Sequence, residues 1–505
     1  MTDGAHHHVS PSERRLISIT VALATIVIIL DMNIAGIALP HMQGSLSASQ
    51  DQIIWVMTAF FVAQALMTAC GGWLAGMLGR KRLYMIALIG FSVCSLLAAQ
   101  SSSLGELVLF RAMQGAFGAP IVPLSQAVLL DIYPREKHGI ALSVWGMGVT
   151  VAPVMGPVLG GWLTDAYSWR AIYFIGAPFA VLACVGVWAF FPGGERDSRR
   201  PLDWKGFGFL AIGLAALQLV LDRGQIKGWF DSSEIVIAAS FAAFGFYAFV
   251  VHSMTTDRPF LSPALFADRN FVLGVIFVFL VGAIVFSSNV IMPLFLQNLA
   301  GYPVQTAGLL MAPRGVGTLI ALFVAGRLVN RIDPRILTAA GFVAVALSSW
   351  ELSVMNLEVE AWHFILASIG NGMGIGLVWV PLTTLAFATL APHLRNEAAN
   401  LWSLVRIYGS AVGISLLNNL QITTRTETRA RLVDHVNPFN SILTAPDVPS
   451  QWDPATTTGL AALAREIDRQ SSMIGYLADF NLMLMMSVAM LPFLIWLRIG
   501  ARPAR

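Results

Sequence analysis

Residues 16–39 read Leu16-Ile17-Ser18-Ile19-Thr20-Val21-Ala22-Leu23-Ala24-Thr25-Ile26-Val27-Ile28-Ile29-Leu30-Asp31-Met32-Asn33-Ile34-Ala35-Gly36-Ile37-Ala38-Leu39. The stretch is almost unbroken apolar sequence, long enough to cross a bilayer, which takes about 20 residues of helix. Yet a carboxylate, Asp31, sits inside its second half, and the run continues past it. A charge at the centre of a membrane helix costs about 2.5–3.5 kcal/mol on insertion scales, so such a group normally faces a polar cavity and titrates or pairs there. Two readings stand at this point: a carboxylate near a helix end, or a proton or ion site.

Composition extends the membrane reading to the whole chain. Its 505 residues are 56% hydrophobic and 12% charged, against about 25% charged in a soluble domain. A net charge of +3 gives no reason to expect a nucleic-acid partner. Cys70, Cys94 and Cys184 all fall in apolar runs without metal-ligand spacing and read as core residues. No small-residue cleavage pattern follows the first apolar run, so it reads as a retained span and not a signal peptide. There is no Walker A glycine-rich loop, zinc spacing or nucleophile elbow. The chain therefore does not read as an ATP-driven pump or as an enzyme, and no cofactor is expected.

Apolar runs of spanning length recur at about 16–37, 53–76, 83–99, 105–129, 140–163, 171–191, 204–221, 235–252, 271–296, 305–327, 336–354, 362–388, 399–420 and 473–499. Fourteen spans put both termini on one side. With the termini cytoplasmic, 20 of the 31 Lys and Arg fall on the cytoplasmic side. Five of the eight on the opposite side lie in one long polar segment, about 421–472, where the positive-inside rule carries little weight. Arg111, Arg314 and Arg406 lie within spans.

The chain also repeats itself. After the second span it reads Gly72-Trp73-Leu74-Ala75-Gly76-Met77-Leu78-Gly79-Arg80-Lys81, and after the tenth Gly326-Arg327-Leu328-Val329-Asn330-Arg331-Ile332-Asp333-Pro334-Arg335. Both put Gly-x-Leu at a helix end, then a tight turn, then basic residues. The two copies correspond if spans seven and eight are inserted between six-span halves. The expected units are residues 1–195, 196–260 and 261–505, an all-α polytopic membrane protein.

On these residues the chain resembles the fourteen-span drug:proton antiporters of the major facilitator superfamily, and among them is most similar to the EmrB-type exporters. The motifs are Leu30-Asp31 with Ile34, Ile37 and Leu39-Pro40, then Arg111 with Gln114-Gly115, then Pro123-Leu124-Ser125-Gln126. Gly156-Pro157 with Gly160-Gly161 matches the antiporter element. Leu221-Asp222-Arg223-Gly224 and Val436-Asn437-Pro438-Phe439-Asn440 match EmrB-like proteins more specifically. Two departures stand out: Gly76 replaces the Asp common in the loop motif, and Ala152 replaces a glycine upstream of Gly156. The resemblance implies two halves with substrate bound between them near the midplane. It implies efflux of amphipathic drugs or toxic compounds from the bacterial inner membrane, driven by protons. A periplasmic adaptor of the EmrA/HlyD type and a TolC-like outer-membrane channel are the implied partners, with the long polar segment beside the adaptor.

Side-chain chemistry then selects candidates. Arg111, Gln114, Gly115 and Gly118 recur at three- and four-residue steps and share one helix face. A guanidinium stays charged at any physiological pH and needs an anion, a dipole or water nearby. Asp31 is the expected partner and proton-coupling carboxylate, the alternative being that Arg111 pairs permanently with another group and only fixes helix packing. Arg80 and Lys81, with Gly72 and Gly79, form a candidate gating loop. Gly156, Pro157, Gly160 and Gly161 are expected at a seam that must flex. Gln64, Gln114, Asn289, Asn371, Arg314 and Arg406 are the polar residues expected along a substrate pathway. Asp222 and Arg223 are expected to pair with each other. Export of one dedicated metabolite, such as a siderophore or fatty acid, uses the same machinery and stays open; an importer is the weaker rival.

Overall fold

A computed structural model describes residues 10–134, 138–191, 202–329, 331–357, 360–391, 394–437, 452–453 and 456–498, with backbone alone at residues 11, 138–144, 147–150 and 396. Among the described residues the chain is helical throughout and holds no strand. The first helix, α1 (Pro11–Ser45), starts at a reciprocal cap. The Glu13 amide donates to Ser10 Oγ at 3.2 Å and the Ser10 amide to Glu13 Oε2 at 2.9 Å, satisfying two otherwise orphaned donors.

There follow α2 (Trp55–Leu78), α3 (Arg80–Gln100), α4 (Leu104–Ile132), α5 (His138–Ala166), α6 (Ala171–Phe190), α7 (Trp204–Arg223) and α8 (Ser233–Thr255). The second part holds α9 (Arg269–Leu299), α10 (Val304–Leu328), α11 (Pro334–Ser353), α12 (Ala361–Phe387), α13 (Arg395–Asp434) and α14 (Thr457–Met490). Prolines interrupt two of them: α4 breaks at Ala119–Pro120 and α10 before Pro313, where the ring removes a backbone donor. Twelve of these helices are long and apolar enough to cross a membrane. With α5 and α13, of 29 and 40 residues, they make up the fourteen expected.

The packing repeats between the halves. In the first, α1 packs on α5 and α6, α2 on α4, and α3 on α4 and α6. In the second, α9 packs on α13 and α14, α10 on α12, and α11 on α12 and α14, the same set of partners eight helices on, the inserted α7 and α8 lying between. Contacts between halves obey the same exchange: α1 meets α9, α2 meets α13, and α10 meets α5. The inserted α7 and α8 pack on each other, and α7 leans on both α2 and α13. This is the two-halved architecture expected. The 195/196 boundary lies outside the described residues.

One expectation needs correcting. Residues 421–472, expected as one long polar loop with a short helical stretch near Ala461–Gln470, hold more helix than that: α13 continues to Asp434, and α14 begins at Thr457 and takes in the expected stretch. A 40-residue helix spans about 60 Å, roughly twice the hydrocarbon thickness of a bilayer. The polar ends of α13 and α14 run on side by side past the apolar zone, joined by an Arg429 Nε–Asp468 Oδ1 ion pair of 2.7 Å. Apolar run length marks where lipid ends; it does not mark where a helix ends. Pro438, Phe439 and Asn440 of the sequence motif lie outside the described residues.

Candidate functional site

Asp31 and Arg111 meet inside the first half. Arg111 Nη1 donates to Asp31 Oδ2 at 2.6 Å and to Gln114 Oε1 at 2.6 Å, and Gln114 Nε2 donates to Asp31 Oδ1 at 3.0 Å. The three side chains form a closed triangle between α1 and α4, because residues 111 and 114 lie on one helix face. Arg111 and Gln114 are wholly buried and Asp31 is 6% exposed. The remaining faces of the guanidinium are covered as well. Its carbon lies 4.3 Å from the Phe60 ring centroid and 5.6 Å from that of Tyr173, and Nε donates to the Val56 carbonyl at 3.4 Å. Gly115 makes this fit possible: a Cβ there would fall 2.2 Å from the Phe60 carbonyl oxygen.

A second polar group crosses between the halves half a turn away. Arg314 on α10 donates to Asn289 Oδ1 at 2.5 Å, to the Val285 carbonyl at 2.9 Å and to Ser288 Oγ at 3.5 Å. Asn289 Nδ2 donates in turn to Asn33 Oδ1 on α1 at 3.2 Å. Arg314, Asn289 and Asn33 thus bridge the seam two residues from Asp31. The other expected pathway residues are separate from it. Gln64 is buried on α2, 3.9 Å from Met32 Sδ, with its Oε1 unpaired. Asn371 is buried on α12 with Oδ1 unpaired. Arg406 on α13 lies 5.4 Å from the Trp379 ring.

The glycines of α5 work as a set. Gly156 takes α5 against Asn33 and Gly160 against Ile34 and Ile37, so both face α1. Gly161 faces the start of α10, where a Cβ would sit 2.8 Å from the Val304 carbonyl oxygen. Gly308 on α10 faces back, and its Cβ would fall 2.2 Å from the Pro157 carbonyl oxygen. At the end of α2, Gly79 has φ 82°, a conformation open to glycine, and turns the chain into α3. Gly72 is exposed nearby, its Cβ position 3.6 Å from Asn400 of the second half. The two basic residues that follow bind within their own half: Arg80 pairs with Asp131 at the end of α4, and Lys81 Nζ donates to the Phe191 carbonyl at 2.9 Å.

Two carboxylates escaped the sequence reading of the site. Asp222 does not pair with Arg223, which turns out to Glu234. Instead Asp222 accepts from Thr58 Oγ1 at 2.9 Å, from Gln218 Nε2 at 2.9 Å and from Ser415 Oγ. Nothing in the sequence placed Thr58 and Ser415 beside it. Asp479 on α14 is fully buried with neither oxygen hydrogen-bonded. It was readable by the argument that found Asp31, a carboxylate inside an apolar run.

The Major Facilitator Superfamily profile matches residues 21–414. The chain is 34% identical over 465 residues to the multidrug export protein EmrB of Haemophilus influenzae, covering 91% of each. It is 35% identical over 431 residues to EmrB of Escherichia coli strain K12, covering 84% of this chain and 83% of that one. To the fatty acid resistance protein FarB of Neisseria gonorrhoeae it is 31% identical over 484 residues, covering 95% of each. Among solved structures it is similar to a bacterial homologue of the human lysosomal transporter Spinster, with TM-score 0.65, 16% identity and coverage of 98% of this chain and 100% of that one. Fold, internal repeat and relatives agree: the chain belongs to the Major Facilitator Superfamily.

Proposed function

We propose that this protein is a proton-coupled multidrug exporter that works by alternating access, letting protons in and moving amphipathic drugs or toxic compounds out. The observation that carries the reading is the buried Asp31–Arg111–Gln114 triangle beside a polar bridge across the seam. Asp31 accepts here from Arg111 and Gln114. A proton taken up by Asp31 cancels the ion pair and leaves Arg111 with Gln114, Val56 and two aromatic faces. That change reaches Asn33, Asn289 and Arg314 through α1, and so weights the two orientations of the halves differently. Gln64, Asn371 and Arg406 are the pathway groups with spare hydrogen-bonding capacity for cargo. Arg80 and Lys81, both tied within the first half, act on gating as part of that half.

The relatives named for multidrug export support the drug substrates, and the excess of Lys and Arg beside the termini supports a cytoplasmic placement of both in the inner membrane. The projecting ends of α13 and α14 are the candidate dock for an EmrA/HlyD-type adaptor leading to a TolC-like channel. Likeness to FarB favours a second reading, a dedicated exporter of fatty acids through the same site.

The test is proton movement in vesicles holding the purified protein under an imposed proton gradient, with a cationic dye or a fatty acid added. Dye-dependent collapse of the gradient that disappears in Asp31→Asn supports the proposal. Collapse driven by the fatty acid alone selects the second reading. Unchanged collapse in Asp31→Asn removes Asp31 from coupling.

A further inference from the structure

We infer that the inserted pair α7–α8 travels with the second half, and that Asp222 is the positioning residue whose bond to Thr58 latches it to the first half and holds that end of the seam shut. The inference rests on the alternating-access reading above and goes on to the inserted helices, for which that reading has no task.

The bonds of α7 are unequal on its two sides. Toward α13 it is fastened at successive turns. Tyr408 donates to the Leu214 carbonyl at 2.9 Å, Gln218 donates to Ser415 Oγ at 2.7 Å, and Asn419 donates to the Leu221 carbonyl at 2.6 Å. These groups are buried, and backbone carbonyls accept two of the three bonds, so separating α7 from α13 would strand several polar atoms away from water. Toward α2 there is one described side-chain hydrogen bond, Thr58 Oγ1 to Asp222 Oδ2 at 2.9 Å, and two ring contacts that leave no polar atom stranded on parting: Trp204 edge-on to Trp73 with centroids 5.2 Å apart, and the Arg223 guanidinium 5.7 Å from the Trp55 ring. Asp222 keeps Gln218 and Ser415 as donors if Thr58 leaves. The joint to α13 is therefore the permanent one and the joint to α2 the one that opens. It lies at the end of the bundle away from the termini, beside another bond across the same seam, Gln50 Nε2 to Gln421 Oε1 at 2.8 Å.

Distances between spin labels on exposed or half-buried residues of that face test this in reconstituted full-length protein, with Cys70, Cys94 and Cys184 replaced by alanine. Ser49 marks the first half, Lys227 the insert and Glu427 the second half. With and without a proton gradient and dye, Lys227–Glu427 should keep one distance while Lys227–Ser49 and Ser49–Glu427 shift together. Thr58→Val should populate the longer Lys227–Ser49 distance at rest, and Thr58→Ser should restore the short one. In the unlabelled protein, Thr58→Val should speed hydrogen exchange in residues 50–58 and leave 214–222 unchanged. A constant Lys227–Ser49 distance with a moving Lys227–Glu427 distance would overturn the inference, as would Thr58→Val indistinguishable from wild type in both measurements. A constant Ser49–Glu427 distance would remove alternating access itself, and the inference with it. Loss of dye coupling with these shifts intact would fault the cargo reading alone.

Discussion

At the scale of single residues, the Asp31–Arg111 pair sets the sharpest expectation, because removing one partner strands the other. Breaking a buried pair costs about 3–5 kcal/mol when the remaining charge has no new partner. Arg111→Gln leaves Asp31 with the Gln114 amide alone, whereas Asp31→Asn leaves Arg111 its bonds to Gln114 and Val56. Thermal unfolding in detergent should therefore rank Arg111→Gln below Asp31→Asn. The double variant should lose less than the sum of the two. An additive result would mean the pair does not interact energetically. Asp479 predicts the reverse: with no donor to either oxygen, Asp479→Asn should leave the melting temperature unchanged or raise it. A drop of several degrees would mean that Asp479 has an ionic partner in the folded protein. The Asp31 triangle was legible because a three-residue step and a charge in an apolar run are both local signals. Two of the partners of Asp222, Thr58 and Ser415, were not, since they come from helices more than 150 residues away in either direction.

At the scale of elements, contact between helices depends on where side chains are missing. Gly308→Ala places a methyl group 2.2 Å from the Pro157 carbonyl oxygen, so α5 and α10 must part. Overpacking of this kind costs about 1–3 kcal/mol, and the variant should lose both thermal stability and dye-coupled proton flux. Gly326→Ala is the control, exposed in α10 with nothing within 4 Å of its Cβ position. It should keep full flux and melt no lower than wild type, since alanine is favoured over glycine in a helix by about 0.5–1 kcal/mol.

The inserted pair has its own pH signature at Asp203, which caps α7 outside the membrane. Burial alone would raise this carboxyl, but the Gly206 amide at 2.9 Å, His252 Nε2 at 2.8 Å and the Phe260 amide at 3.0 Å outweigh it and hold the pKa below the usual aspartate value. A depressed folded-state pKa stabilises the fold above the ordinary value and is lost as pH falls through the lowered one. Asp203→Asn should therefore melt below wild type at neutral pH, and the gap should close on acidification. A gap that stays constant from neutral to acidic pH would deny the carboxylate this role. The pairing of α7 with α8 was legible from two adjacent apolar runs. This cap was not, because His252 and Phe260 reach Asp203 only once α8 has folded back.

At the scale of the molecule, the fourteen spans and the repeat were legible because lipid imposes a uniform length and polarity on every crossing. Sequence reasoning lost its footing where lipid stops. The polar ends of α13 and α14 carry charges that suit water, and they stay helical through their own backbone bonds and their mutual packing. Leu463 is buried there at 7% exposure, and Ser471 and Met473 lie deeper on the same helix. The exposed Arg429–Asp468 pair contributes no more than about 1 kcal/mol, so it does not by itself hold the two ends together. Amides of residues 423–433 and 459–470 should exchange hydrogen slowly and together, while a solvated loop would exchange them at once. Arg429→Ala should hardly change that protection, whereas Leu463→Asp should abolish it in both stretches. If these ends serve an adaptor, Leu463→Asp should also abolish resistance in cells yet leave dye-coupled proton flux in vesicles intact, since Asp31, Arg111 and the seam lie in the membrane below. Loss of flux in vesicles as well would tie the projection to the transport cycle and remove it as a separate docking arm.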